Sequence, residues 1–166
     1  LGHGYNSAMT SQYIADALLL VSILDEIGKI NESKDVLAKI SVLFALNESY
    51  EHVSSAHPLK VQFEFLSIRP SLNAVFTTDE EDTRVENSLT YILNYYQDNG
   101  ISGLEYWNAK LTLLMYFNDK AYWPKWPNYQ NQWREIYQDK GSPNYVRALS
   151  GLYLGNKSLE ANAYQK

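Results

Sequence analysis

The chain has 166 residues, 45% of them apolar and 20% charged, a composition that folds rather than one that stays disordered. At this length roughly 70% of the unfolded chain's surface can be buried, so a core needs neither disulfide nor metal, and one domain is expected. A formal net charge of −5 and an isoelectric point near 5.2 exclude a sequence-independent grip on nucleic acid, whose phosphates reward clustered Lys and Arg.

The absence of cysteine removes disulfides, thiolate zinc sites and cysteine nucleophiles, and is compatible with cytoplasm, periplasm or a bacterial exterior. The chain begins Leu1-Gly2-His3-Gly4, without an initiator Met or a basic and then apolar leader, which fits a piece of a larger protein. Its longest apolar run, Ala17-Leu18-Leu19-Leu20-Val21, lies between Asp16 and Asp25. That is far short of the roughly 20 residues of a membrane span, so a buried helix turn is expected and no span.

In chain order, Ser11 is positioned to cap a first helix in which Ile14, Leu18, Val21, Leu24 and Ile27 recur at helical spacing, with Gly28 as the stop. Asn31 or Ser33 opens a second helix that carries Val36, Leu37, Ile40, Leu43, Phe44 and Leu46 on one side. Ser54 to Pro58 reads as a loop. Val61, Phe65, Ile68, Leu72 and Phe76 then mark a third helix, which Pro70 should kink or split.

Thr77 and Thr78 followed by Asp79-Glu80-Glu81-Asp82 place a capping hydroxyl, and then acids, at the positive end of a fourth helix dipole. This helix continues through Val85, Leu89, Ile92, Leu93 and Tyr96, and Asn99-Gly100-Ile101-Ser102-Gly103 breaks it. A fifth helix runs from Leu104 through Met115 to Asn118-Asp119. Tyr122 to Pro127 cannot be regular helix throughout, whereas Tyr129 to Tyr137 and Pro143 to Leu154 read as two shorter helices, the last closed by Gly155. With no strand-like alternation and no fixed-period repeat, the expected class is all-α: a helical-hairpin bundle, a solenoid or one arc of an α/α toroid.

The three histidines are the side chains whose ordinary pKa suits proton transfer near neutrality. His3, in Gly2-His3-Gly4-Tyr5-Asn6-Ser7, stands in a small flexible segment before a helix; it reads first as an exposed terminal histidine, and otherwise as a ligand-facing imidazole accompanied by Tyr5 and Asn6. His52 and His57 lack a second ligand at metal-binding spacing, so they read as loop histidines. The acidic run 79–82 lacks the alternating ligands and central Gly of a calcium loop, and reads as a solvated helix start. Neither a Gly-rich phosphate loop nor a nucleophile elbow occurs, and no metal or cofactor is expected.

Trp126, Tyr129, Trp133 and Tyr137 follow one another at intervals of three, four and four, which aligns them on one helix face. Such a stripe is core in the first instance. Its flat faces would also suit pyranose rings, with Asn128, Gln130, Gln132 and Arg134 beside them to bind hydroxyls and carboxylates.

Gly4-Tyr5-Asn6-Ser7, then Tyr13-Ile14 and the run from Leu18 to Leu24, resembles the helical domain of chondroitin ABC-type polysaccharide lyases. Phe65 to Arg69, Leu72 to Phe76, the acidic 79–82 segment and Val85 to Tyr95 are similar in order and spacing to that family's next helix pair, so the resemblance spans about residues 2–97. It implies an arc of an α/α toroid and β-elimination on uronic-acid-containing glycans. It implies a secreted or periplasmic setting, an acidic polysaccharide as partner, and possible further domains in a larger chain. His3, Tyr5 and Asn6 would then stand at the substrate cleft. Beyond Gly100 no counterpart of the family's catalytic His and Tyr segment is found, and Arg69, Arg84, Arg134 and Arg147 are candidates for uronate neutralisation by residue type only.

Two functions follow as expectations. One is a helical part of a glycosaminoglycan lyase, binding through His3, Tyr5, Asn6, Trp126, Tyr129, Trp133 and Arg134. The other is a non-catalytic helical scaffold that binds a protein or peptide.

Overall fold

The computed structural model describes the backbone of residues 3–49 and 58–163, and side chains over 10–45 and 58–155. Among the described residues there are seven helices and no strand: α1 (His3–Glu26), α2 (Ile30–Ser49), α3 (Pro58–Leu72), α4 (Asp79–Asp98), α5 (Leu104–Phe117), α6 (Trp126–Gln138) and α7 (Asn144–Ala163). The chain is all-α. It divides into two compact units, Leu1–Asn99 and Gly100–Lys166, and Gly100 at the junction takes a positive φ of 67°.

In the first unit α1 and α2 form an antiparallel pair around a tight turn. Lys29 N–H donates to Leu24 O at 2.8 Å and Gly28 N–H to Asp25 O at 3.2 Å, the paired bonds of a Schellman C-cap, with Gly28 at the left-handed position (φ 76°) that favours a residue without Cβ. Ile14, Leu18 and Val21 of α1, Leu37, Ile40 and Phe44 of α2 and Leu66 of α3 close one core. The Phe44 and Phe63 rings meet there at 5.2 Å.

Helix α4 packs on α3 through Val85, Leu89, Ile92 and Leu93. Its start is a complete capping box: Thr78 Oγ1 accepts from Glu81 N–H at 3.2 Å while the Glu81 carboxylate accepts from Thr78 N–H at 2.8 Å. The acidic run is not solvated throughout, because Asp82 is fully buried and accepts from Thr77 Oγ1 at 2.8 Å.

Four boundaries differ from the sequence expectation. Helix α1 begins at His3 rather than at a Ser11 cap; a glycine in a first turn costs only about 1 kcal/mol, so Gly4 does not hold the helix back. Helix α3 contains Pro70 in its last turn and stops at Leu72, which leaves Val75 and Phe76 exposed in the following loop instead of on the helix. Helix α6 starts at Trp126, with Pro127 in the first turn where its missing N–H is harmless. Helix α7 continues through Gly155 to Ala163, since Gly155, unlike Gly28 and Gly100, has no positive φ to end it. The expected loop histidines His52 and His57 lie outside the described residues.

In the second unit α5 packs on α6 and α6 on α7. Phe117 is the centre of an aromatic stack, its ring 5.2 Å from Trp123 and 4.9 Å from Tyr129. Asp139, accepting from Gly141 N–H at 2.8 Å and Ser142 Oγ at 2.9 Å, shapes the turn that leads into α7. These bonds, the Gly141 amide foremost, hold its carboxyl below the ordinary carboxylate value.

Candidate functional site

The α6 aromatics lie along one side of the helix, as their spacing predicts, and the two in the middle point inward, while Tyr137 at the end of the stripe is exposed. Trp133 is 1% exposed and stacks on Tyr153 of α7 at 4.6 Å with the rings nearly parallel; Tyr129 is 5% exposed and stacks on Phe117. Neither ring face is open to a sugar, so both are core. Trp126 is half-buried, its indole N–H donating to Asn118 O at 3.1 Å. Arg134 is exposed and donates to Asn131 Oδ1 at 3.2 Å on its own helix. Of the seven residues singled out from sequence, His3, Tyr5 and Asn6 lie on the first turns of α1, and their side chains are outside the described residues.

A second arrangement was missed by the sequence reading. In the first unit an open cleft of about 730 Å³ runs between α3 and α4 and reaches Ser41 of α2. Glu80, Arg84, Asn87 and Tyr91 border it from successive turns of α4, and Phe63, Glu64 and Ser67 from α3. Ser88 Oγ donates to Glu64 Oε2 at 2.6 Å, and Lys60 Nζ lies 5.1 Å from the Tyr91 ring centre. Arg84 also borders an adjoining cleft of about 400 Å³ with Lys34, Ser71 and Glu81. A guanidinium, an amide and a phenol on one helix face form a polar surface suited to carboxylate and hydroxyl groups. The signal was present as the 84, 87 and 91 spacing on the polar side of α4.

The third feature is the outer face of α1. Leu18 and Val21 are wholly buried, but Leu19 is 60% exposed and Ile27 61% exposed, and Tyr13, Leu20 and Ile23 are also open to solvent. This corrects the expectation that the 17–21 run is a buried turn: Leu19 and Leu20 face solvent. A helix apolar on both sides belongs between two layers. Tyr13 and Leu43 with Thr10 and Lys39 also line a shallow cleft beside it.

Among the described residues no cluster of His, Asp or Glu is arranged to hold a metal ion, and no helix is long and apolar enough to cross a membrane. No family model, no curated protein and no solved structure matches this chain.

Proposed function

We propose that the chain is a non-catalytic helical scaffold whose task is to hold a protein partner against the outer face of α1. The observation that carries this reading is the two-sided apolar character of that helix: Ile14, Leu18, Val21 and Leu24 face the core, while Tyr13, Leu19, Leu20, Ile23 and Ile27 face outward. Contiguous exposed apolar surface of this kind is costly to keep in water and marks interaction sites. Burial of Tyr129 and Trp133 also supports the scaffold, because it removes the aromatic platform on which sugar binding was to rest.

One observation favours a second reading, a glycan-binding helical element of a chondroitin-type lyase. Arg84, Asn87 and Tyr91 lie in the unit that carries the resemblance, and a guanidinium paired with a carboxylate is what recognition of a uronate requires. Isothermal calorimetry with chondroitin and hyaluronan oligosaccharides separates the two. Calorimetry is preferred to indole fluorescence, since Trp107, Trp123, Trp126 and Trp133 all belong to the second unit. The scaffold reading predicts no saturable heat. Saturable heat that disappears in Arg84→Ala would replace it with the glycan reading.

A further inference from the structure

The outward residues of α1 and its C-cap follow a regular order: Tyr13, Asp16, Leu20, Ile23 and Ile27 are separated by three, four, three and four, and Ile30 at the start of α2 is exposed beyond the turn. All of them are exposed. That alternation suits the seam of two helices packed at a shallow left-handed angle. We infer that this seam is occupied by a second copy of the chain, α1 against α1, antiparallel about a two-fold axis between Leu20 and Ile23. The inference rests on the scaffold reading and names its partner.

Area and charge both point to this occupant. Taking roughly 200 Å² for a fully exposed large side chain, Tyr13, Leu19, Leu20, Ile23, Ile27 and Ile30 leave about 600 Å² per copy. Two copies then bury about 1,200 Å², where stable interfaces begin. The sole polar member of the seam is Asp16, which accepts from Gln12 at 2.9 Å. A parallel pair would set Asp16 against its own copy and Glu26 against Glu26 at the flank. The antiparallel pair instead matches Leu20 with the partner's Ile23, and Asp16 with the partner's Ile27, two residues from Lys29, whose backbone N–H closes the turn. Lys29 is exposed, and its present partner Glu32, at 2.9 Å, is a residue of its own helix hairpin that leaves other donor positions of the ammonium available. Two-fold pairing also makes each copy's patch complementary to itself, so the assembly closes at a dimer.

Sedimentation equilibrium of the full chain from about 1 to 200 µM tests this. The expected result is a monomer–dimer equilibrium that Leu20→Glu with Ile23→Glu weakens at least about a hundredfold, while the helical circular dichroism and the thermal midpoint stay within a few degrees of the parent. Because the chain has no cysteine of its own, Leu20→Cys mixed with Ile23→Cys reports the order of the two helices. The mixture should form the crossed disulfide, and Leu20→Cys alone should not link to itself. A monomer at every concentration, a dimer indifferent to the two glutamates, or self-linked Leu20→Cys overturns the inference. A monomer result leaves the scaffold reading standing, since that reading asks for a protein partner on this face and not for a second copy, and it is the saturable glycan heat lost in Arg84→Ala that would replace it.

Discussion

Lys110 of α5 shows how one buried charge ties packing to pH. Its ammonium donates to Gln132 of α6, and burial pulls its pKa below the ordinary lysine value of 10.5, with the nearby Glu135 carboxylate opposing that pull. A lysine whose folded pKa is depressed binds fewer protons folded than unfolded between the folded value and 10.5, so this residue makes stability rise with pH across that window. Below the window the cost of burying the charge is fully present. Lys110→Met should therefore gain most over the parent at neutral pH, and the gap should narrow as pH approaches 10. Urea unfolding of both proteins at several pH values measures the gap. One that does not change with pH contradicts the assignment. Using the difference between the two proteins cancels the titration of the 14 tyrosines, which ionise in the same range.

Single residues also mark the limit of what can be read in advance. Trp133 and Tyr129 were placed on the right face of the right helix from their spacing, but spacing does not say whether a face looks in or out. That was decided by Tyr153 and Phe117, residues from other helices that supply the covering rings.

Among the helices, those with strong local chemistry were the legible ones. Thr78 and Glu81 spell out a capping box three residues apart, and α4 starts where they place it. Thr78→Ala removes the side-chain half of that box and should cost about 1 kcal/mol in urea unfolding of the full chain. An unchanged midpoint would mean that the acids of the first turn hold the helix end without the cap. The boundaries that were misread carry glycine or proline. Gly4 and Gly155 sit inside α1 and α7, because neighbouring residues continue the helix and about 1 kcal/mol per glycine is small enough for packing to override, whereas Pro70 stands in the last turn of α3, which stops two residues later. Helix α1 shows the deeper limit. Its 14, 18, 21 and 24 stripe was visible, yet the apolar residues between those positions merged with it into one run. Periodicity could not show that Leu19 and Leu20 turn away from the core.

At the scale of the molecule, the chain is two compact units of helices, each with a core of its own, joined at Asn99-Gly100. The all-α class was legible because no segment alternates apolar and polar residues as a strand would. The polar cleft along α4 was not, because Arg84, Asn87 and Tyr91 become neighbours of Glu64 and Ser41 only after α2, α3 and α4 have packed. The functional account turns on whether the outer face of α1 is open in solution. Hydroxyl-radical footprinting of the dilute full chain, with side-chain oxidation read residue by residue, tests this most directly. The account predicts ready modification of Leu19, Leu20 and Ile23 alongside protection of Leu18 and Val21 on the same helix. Equal protection of both sets would place the outer face inside the fold and remove the surface on which the scaffold reading depends.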